Sequence, residues 1–544
     1  MFRPLADGSG VKGQDVILCS DSQLSDRLKF RRFYSRGREH MIPYIIVQAG
    51  GRGSRLETLT ANKPKALVPI DNLPMIFHLF KKYPDSKFKI IADYKKNVLK
   101  KYLKTFAKVD YEVIEANKTG TCSGIGDTLK NIPDKIPFML IWCDLVLSEV
   151  VIPSDLTQNY IGISKNFSCR WSYVNNIFKE EISQENGVAG LFLFKDKSQI
   201  SDIPASGEFV KWLSTKNLSF ERLDMRGGLE IGTMFSYFQN ELNKPKCRPF
   251  NKMEFKDDIV LKYPIDEQGR KLAADEIDWY KKVIGLGYTN IPKIYGYDPL
   301  VMEKIKGENI FNYAFLTKGF KRALLIEIVD ALKRLHTLVP SVDANIEDCE
   351  NNYLTKTFDR LSVVQKLVPF AQNGTVVING RKCANIFAVK DKVIADIRTM
   401  YPNKFHLIHG DCTFHNMMIE TKGVRPILID PRGYFGATKL FGDVDYDWAK
   451  LYYSIVGDYD QFNRKNFSLE IKEDSVDLEI VSNNWRNLEN DFFLITGSNR
   501  KKIKLLHALI WLSLTTYAWE DYDAICGAFY KGLFELQEYL DNVG

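Results

Sequence analysis

No stretch of this 544-residue chain approaches the roughly 18 consecutive apolar residues that cross a bilayer. Its N-terminal residues carry no apolar signal-peptide core, so membrane insertion is not expected. Cysteine is sparse and scattered, nine residues at positions 19, 122, 143, 169, 247, 349, 383, 412 and 526. No C-x-x-C spacing and no even framework occurs, which argues against a disulfide scaffold or zinc site and for a reducing, cytoplasmic compartment. An excess of one charge sign is also missing. With 75 basic and 68 acidic residues the net charge is +7, a mixed surface that disfavours nucleic acid as a partner. The basic cluster between Lys29 and Arg38 reads as a solvated tail. Residues 1–40 show no periodicity and are expected to form an N-terminal extension outside the folded domains. Against these absences stand 45% hydrophobic and 12% aromatic residues, enough for roughly two to four filled domain cores. Nothing in the composition indicates an oligomeric state.

Two phosphate-handling patterns lie far apart. The first follows Tyr44-Ile45-Ile46-Val47-Gln48, a β-branched run suited to a buried parallel strand. It leads into Gly50-Gly51-Arg52-Gly53-Ser54-Arg55-Leu56, then Lys63-Pro64-Lys65-Ala66-Leu67-Val68-Pro69-Ile70. Glycines let the backbone approach a triphosphate and aim N–H groups at it, and Arg55 supplies a fork of donors. Phe138 to Asp144 reads as a buried strand ending in an acid, a topological position for a Mg²⁺ ligand.

This stretch resembles the sugar-nucleotide and choline-phosphate nucleotidyltransferase family over about residues 42–243. The resemblance implies a Rossmann-like α/β domain in which Arg55 and Lys65 neutralise phosphates while a phosphate monoester attacks the α-phosphorus of an NTP and pyrophosphate leaves. It further implies Gly50, Gly51 and Gly53 as the nucleotide loop, and Gly120 and Thr121, with Ser123 and Gly124, as the base-recognition loop. Asp144 and Glu230 are the implied metal ligands. Glu230 stands in Gly228-Leu229-Glu230-Ile231-Gly232-Thr233, where the family usually has Asp. Phe167, Trp171, Tyr173 and Trp212 suggest a cation–π cage for a quaternary ammonium, against the alternative of ordinary core packing.

The second pattern is Leu407-Ile408-His409-Gly410-Asp411-Cys412-Thr413-Phe414-His415-Asn416, followed by Ile427-Leu428-Ile429-Asp430. An Asp to orient a hydroxyl, an Asn for Mg²⁺ and a second Asp at a strand end form a phosphotransfer constellation. Upstream, Lys262 sits on an apolar strand and Glu276 in an amphipathic helix over 271–284. This half resembles the aminoglycoside phosphotransferase and choline kinase superfamily. The resemblance implies a bilobal protein-kinase-like (α+β) domain with Lys262 and Glu276 at the ATP phosphates, Glu303 and Ile305 in the adenine-binding hinge, Asp411 catalytic, and Asn416 and Asp430 on the metal. No G-x-G-x-x-G precedes Lys262, which leaves the phosphate-covering turn near 248–256 undefined. Arg432 reads as a contact to an anionic substrate or γ-phosphate, or equally as a surface salt bridge. His336 reads as packed, Asp443 and Asp447 as helix caps or supports of the catalytic loop, and Trp511, Trp519 and Phe529 as core of the closing helices over 500–540.

The expected organisation is therefore an extension (1–40), a nucleotidyltransferase domain (41–243), a kinase small lobe and hinge (244–305) and a large lobe (306–544). The expected function is bifunctional: ATP-dependent phosphorylation of a small alcohol or sugar, then coupling of the phosphate to a nucleotide, CTP favoured, with Mg²⁺ at both steps. A choline-like or other small polar alcohol is the preferred acceptor, and the product is an activated headgroup for cell-surface polysaccharide. The alternatives are an anomeric amino-sugar kinase joined to a uridylyltransferase, and a nucleotide-sensing regulator built from degenerate domains.

Overall fold

Strands β1 (Tyr44–Gln48), β2 (Lys87–Ala92), β3 (Asp110–Glu115) and β4 (Phe138–Trp142) are parallel and lie side by side in the order β3-β2-β1-β4. They belong to a computed structural model that describes residues 42–153, 156–241, 251–421 and 424–542. The expected extension over 1–40 and the expected domain boundary near 244 lie outside those residues. Ile45, Ile46 and Val47 of β1 are fully buried, as a strand covered on both faces requires. Helices α1 (Met75–Lys82) and α2 (Lys96–Phe106) make the crossovers. Five more strands complete a nine-stranded sheet: β5 (Tyr160–Ser164), β6 (Ser172–Val174), β7 (Ile177–Lys179), β8 (Gly187–Phe194) and β9 (Glu221–Asp224), with β8 antiparallel to β4. From β1 the chain winds outward to β2 and β3, then returns to β4 on the other side of β1. The crevice left by that reversal, at the carboxyl ends of β1 and β4, is where open α/β sheets bind ligands. Residues 44–241 thus form a mixed α/β, Rossmann-like unit.

The second half opens with an antiparallel sheet of β10 (Asn251–Phe255), β11 (Ile259–Pro264), β12 (Ile294–Tyr297) and β13 (Leu300–Glu303), ordered β10-β11-β13-β12. Between β11 and β12 runs α3 (Glu267–Gly285), which buries Glu276, Trp279, Tyr280 and Val283 along one stripe. It starts earlier than the expected 271 because the Asp266 carboxylate caps it, accepting from the Gly269 N–H at 2.6 Å. Helix α4 (Lys318–His336) follows, and a π-helical turn (Glu350–Thr355) runs into α5 (Lys356–Val364). Strand β14 (Lys404–Leu407) leads to the 409–416 loop, and β15 (Met417–Glu420) pairs antiparallel with β16 (Pro426–Leu428). Then come α6 (Val444–Ile455), β17 (Phe467–Ile471), α7 (Arg500–Leu514) and α8 (Tyr522–Asp541). The periodic 500–540 stretch is thus two helices.

The two halves share one continuous apolar core, which includes Phe77 and Tyr102 from the first and Tyr522 from the second. Trp519, expected inside the closing helices, instead packs on the first half, its ring centroid 5.6 Å from Phe77 and 5.9 Å from Phe106. A polar bridge accompanies it. Asn62 donates to the Leu469 carbonyl of β17 at 2.8 Å and accepts from the Ile471 N–H at 3.2 Å. Lys63, only 1% exposed, donates to Asp521 at 3.2 Å and to Asp523 at the start of α8. Burial alone works against its ammonium, but the two carboxylates reverse this and raise its pKa. No helix among the described residues is long and apolar enough to cross a membrane.

Candidate active sites

The first site is assembled at the carboxyl ends of β1 and β4. Gly50 follows β1, and its carbonyl accepts from the Tyr94 N–H at 3.2 Å; a Cβ on Gly50 would stand 3.0 Å from that of Asp93. Gly53 has φ 67°, and a Cβ there would lie 3.2 Å from the Cβ of Lys65. This glycine therefore lets the loop close over Lys65 in a conformation costly for other residues. Gly51 is exposed and open. Lys65 heads a short 3₁₀ turn (Lys65–Leu67), is 8% exposed and ion-pairs with Asp144. Burial opposes its charge, yet the neighbouring carboxylates, Asp144 foremost, raise its pKa.

Glu230 reaches the same place through a two-stranded ribbon in which Glu230 lies opposite Leu145 and the Ile231 N–H donates to the Asp144 carbonyl at 3.0 Å. Its carboxyl is held above the usual carboxylate range by burial and by the Asp144 charge, while Lys65 and Arg55 pull the other way. Gly232 permits this arrangement, since a Cβ on it would stand 1.9 Å from Glu230 Oε1. Lys65 and Asp144 are thus paired, with Glu230 and the exposed Arg55 near enough for their charges to interact. Two carboxylates with oxygen donors side by side match what a hard divalent cation takes.

Gly120 and Thr121 border this crevice. The Gln48 side chain at the end of β1 donates to the Thr121 carbonyl at 2.5 Å, and the Phe209 N–H donates to Thr121 Oγ1 at 2.8 Å. Gly120, at φ 91°, could not carry a Cβ without meeting the Gly207 carbonyl oxygen at 2.3 Å. Among the described residues Phe167, Trp171, Tyr173 and Trp212 do not form one ammonium cage. Trp171 is buried and its indole donates to Glu208 at 2.9 Å, and Tyr173 is core, its ring packed on Phe178 and Phe220. Phe167 leans on a different core cluster from Trp171, Tyr173 and Trp212. Core packing, the alternative reading of these aromatics, is what the structure contains.

At the second site Lys262 of β11 donates to Glu276 of α3 at 2.7 Å and also pairs with Asp430. Burial disfavours its charge, but the two carboxylates raise its pKa. The Glu276 carboxyl, 5% exposed, is pushed up to about 7, by burial first and by Asp430 next, with Lys262 opposing. The β15–β16 register explains why Asn416 and Asp430 converge. Met417 lies opposite Leu428, so the residues just outside the hairpin are neighbours, and the Ile429 N–H donates to the Asn416 carbonyl at 2.9 Å. Asn416 in turn donates to the Asp411 carboxylate at 2.9 Å. His409 is fully buried, with burial lowering its pKa; its Nδ1 accepts from the Asp411 N–H at 3.3 Å, a loop-orienting role.

Asp447, inside the first turn of α6, accepts from the His409 and Gly410 N–H groups at 2.9 and 2.7 Å and contacts His336 at 3.0 Å. It supports the loop, whereas Asp443 caps α6 by accepting from the Asp445 N–H at 3.0 Å. Glu303 spends its N–H on the Lys293 carbonyl at 2.8 Å, so that amide is taken. The Ile305 amide has no hydrogen-bond partner among the described residues. Part of the expected phosphate-covering turn lies outside the described residues.

Lys450 of α6, which meets Asp411 at 3.0 Å, and Lys356 of α5 carry no signal in the sequence. Isolated lysines on helices look solvated, and only the fold turns these inward. Arg432 is no surface salt bridge. It lies 4.3 Å over the Tyr434 ring and donates to Tyr446 at 3.1 Å and Asn352 at 3.3 Å.

Residues 44–158 match the nucleotidyl transferase family model. The chain is similar to the bifunctional protein GlmU of Methanococcus maripaludis, 21% identical over 163 residues that make up 30% of this chain and 37% of that protein. It is also similar to the UTP–glucose-1-phosphate uridylyltransferase AglF of Haloferax volcanii, 37% identical over 57 residues, 10% of this chain and 24% of that protein. Among solved structures, HddC from Yersinia pseudotuberculosis shares 18% identity with a TM-score of 0.31, covering 36% of this chain and 97% of HddC. The chain spans less than half the length of these two curated relatives, and the family match falls on the part that carries Gly50, Arg55, Lys65 and Asp144.

Proposed function

We propose that the chain catalyses two consecutive reactions: ATP-dependent phosphorylation of a small alcohol or sugar at the second site, and transfer of a nucleotidyl group onto that phosphate at the first. The observation that carries the proposal is the Lys65–Asp144 ion pair at the crevice between β1 and β4, with Glu230 and Arg55 beside it; Arg55, Lys65 and Asp144 fall within the residues that match the nucleotidyl transferase family, and Glu230 lies beyond them. There the substrate phosphate oxygen attacks the α-phosphorus, pyrophosphate departs, and Lys65 and Arg55 offset the accumulating negative charge. At the second site Asp411 orients the acceptor hydroxyl and receives its proton, while Lys262, steadied by Glu276, holds nucleotide phosphates. Asp144 with Glu230, and Asn416 with Asp430, are oxygen donor sets fit for Mg²⁺, which when bound supplies further charge neutralisation. The product of one site is the chemical class consumed by the other.

CTP is the favoured second nucleotide, and the product class is an activated headgroup for cell-surface polysaccharide. The resemblance to a uridylyltransferase favours UTP as the second reading. A one-pot assay with ATP, Mg²⁺, an unphosphorylated acceptor and CTP or UTP in turn, read by mass spectrometry, tests the proposal. A nucleotide-linked product with CTP is expected. Product with UTP alone moves the reading to the sugar branch, and ATP consumption without nucleotide-linked product from any pairing overturns the coupling.

A further inference from the structure

Asp411 is ringed by positive charge. Lys450 meets it at 3.0 Å. Arg432 stands on the turn after Asp430, stacked on Tyr434 and fixed by Tyr446 and Asn352. Asn352, Lys356 and Arg360 follow at four-residue intervals along the π-turn and α5, which presents them to one side. Arg360 is tied to the Ser513 carbonyl at 2.6 Å. Among the described residues no carboxylate lies within ion-pair distance of Arg432 or Lys356, although both are half-buried or more.

Removing a cation from water without a counter-charge is expensive. Burial depresses the Lys356 pKa well below its ordinary value, and Arg432, Arg360 and Lys450 depress it further, while Asp411 alone among the leading influences works against this. Arg432 carries a guanidinium, which stays charged in proteins. A guanidinium held by a ring stack and neutral partners keeps its planar fork suited to a two-oxygen anion.

We infer that the acceptor phosphorylated at the second site is itself an anion, a small hydroxylated molecule bearing a carboxylate or a phosphate, whose charged group is bound by Arg432 and Lys356 while its hydroxyl meets Asp411. This rests on the phosphotransfer reading of that site. The acceptor oxygen bonds to the γ-phosphorus of ATP as the bond from that phosphorus to the β,γ-bridging oxygen breaks. The electron pair leaves on ADP, and the hydroxyl proton passes to Asp411 and then to solvent. A quaternary ammonium is repelled by the same cations, so choline is a poor acceptor.

The test is ADP release by the full chain with ATP and Mg²⁺, supplied with glycerate, glucuronate or glycerol 3-phosphate, and with glycerol, glucose or choline. Turnover is expected with an anionic acceptor, the carboxylate and phosphate arms identifying which, and not with choline. Arg432→Gln and Lys356→Met should each raise KM for that acceptor about 10-fold or more, the scale of a lost charge-assisted contact, with KM for ATP changed less than about threefold. Arg432→Lys, which keeps the charge, should recover part of the loss, with melting temperatures confirming that the variants fold. Turnover of neutral or cationic acceptors only, or of none although ATP binds by calorimetry, overturns the inference. So does a variant effect that falls on KM for ATP, which would place the γ-phosphate at Arg432. Absence of both ATP binding and ADP release overturns the phosphotransfer reading itself.

Discussion

Lys65 and Asp144 meet in a direct ion pair at the mouth of the crevice, and Asp144 helps keep the Lys65 ammonium charged. On the proposed mechanism, removing Lys65 takes away a positive charge that offsets the transition state, and removing Asp144 takes away a carboxylate proposed to hold Mg²⁺. Lys65→Ala and Asp144→Ala are each expected to lower nucleotidyl transfer about 10²-fold or more, read as pyrophosphate release. Glu230 tests the departure from Asp: transfer by Glu230→Ala near the wild-type rate removes it from the metal site, and a loss like that of Asp144→Ala keeps it there. Glu276 makes a prediction about pH. Its carboxyl moves from an ordinary 4.5 up to about 7, chiefly because it is buried, so the folded chain holds that proton more tightly than the unfolded one. The stability from this group is complete below 4.5 and is lost as the pH rises through about 7. Melting temperatures of the wild type and Glu276→Gln, compared across that window, should diverge, the wild type losing ground as pH rises; a constant offset contradicts the assignment.

At the scale of elements, the second site depends on a loop braced by a helix. Both Asp447 oxygens accept N–H groups from the 409–410 turn. Asp447→Ala should leave buried donors unsatisfied, costing about 1–3 kcal/mol for each. ADP release should fall while pyrophosphate release at the first site persists; unchanged ADP release would show that the loop holds its shape alone. Much of this architecture was legible in the sequence. The strand and glycine loop from Tyr44 to Gly53 declare themselves because burial demands β-branched residues and the tight turn demands glycine. Asn416 and Asp430 were recognisable by spacing, and the hairpin between them supplies the reason. The start of α3 was missed because it depends on the Asp266 cap and not on apolar periodicity. Lys356 and Lys450 were invisible, since sequence does not say which lysine faces a neighbouring loop. Trp171 and Tyr173 fit cage or core equally until their partners are known.

At the scale of the whole molecule, Lys63 and Asp521 are 458 positions apart yet share a buried ion pair, a contact that no local pattern announces. It joins the segment two residues ahead of Lys65 to the N-terminus of α8, so the first site is held in part by the second half of the chain. Replacing both Asp521 and Asp523 with Asn strands a buried ammonium. A loss of about 3–5 kcal/mol in denaturant-measured stability is expected, together with slower nucleotidyl transfer. Unchanged transfer in the folded variant would show that Lys65 does not rely on this bridge. Structural interdependence and chemical independence are separate matters, and the central claim is that two chemically independent sites act in sequence. Asp411→Ala measures it most directly, with ADP release followed alongside pyrophosphate release from an added phosphorylated acceptor. ADP release should vanish while pyrophosphate release stays within about threefold of wild type, as for sites with no shared partners. Loss of both activities in a variant that remains folded would contradict it.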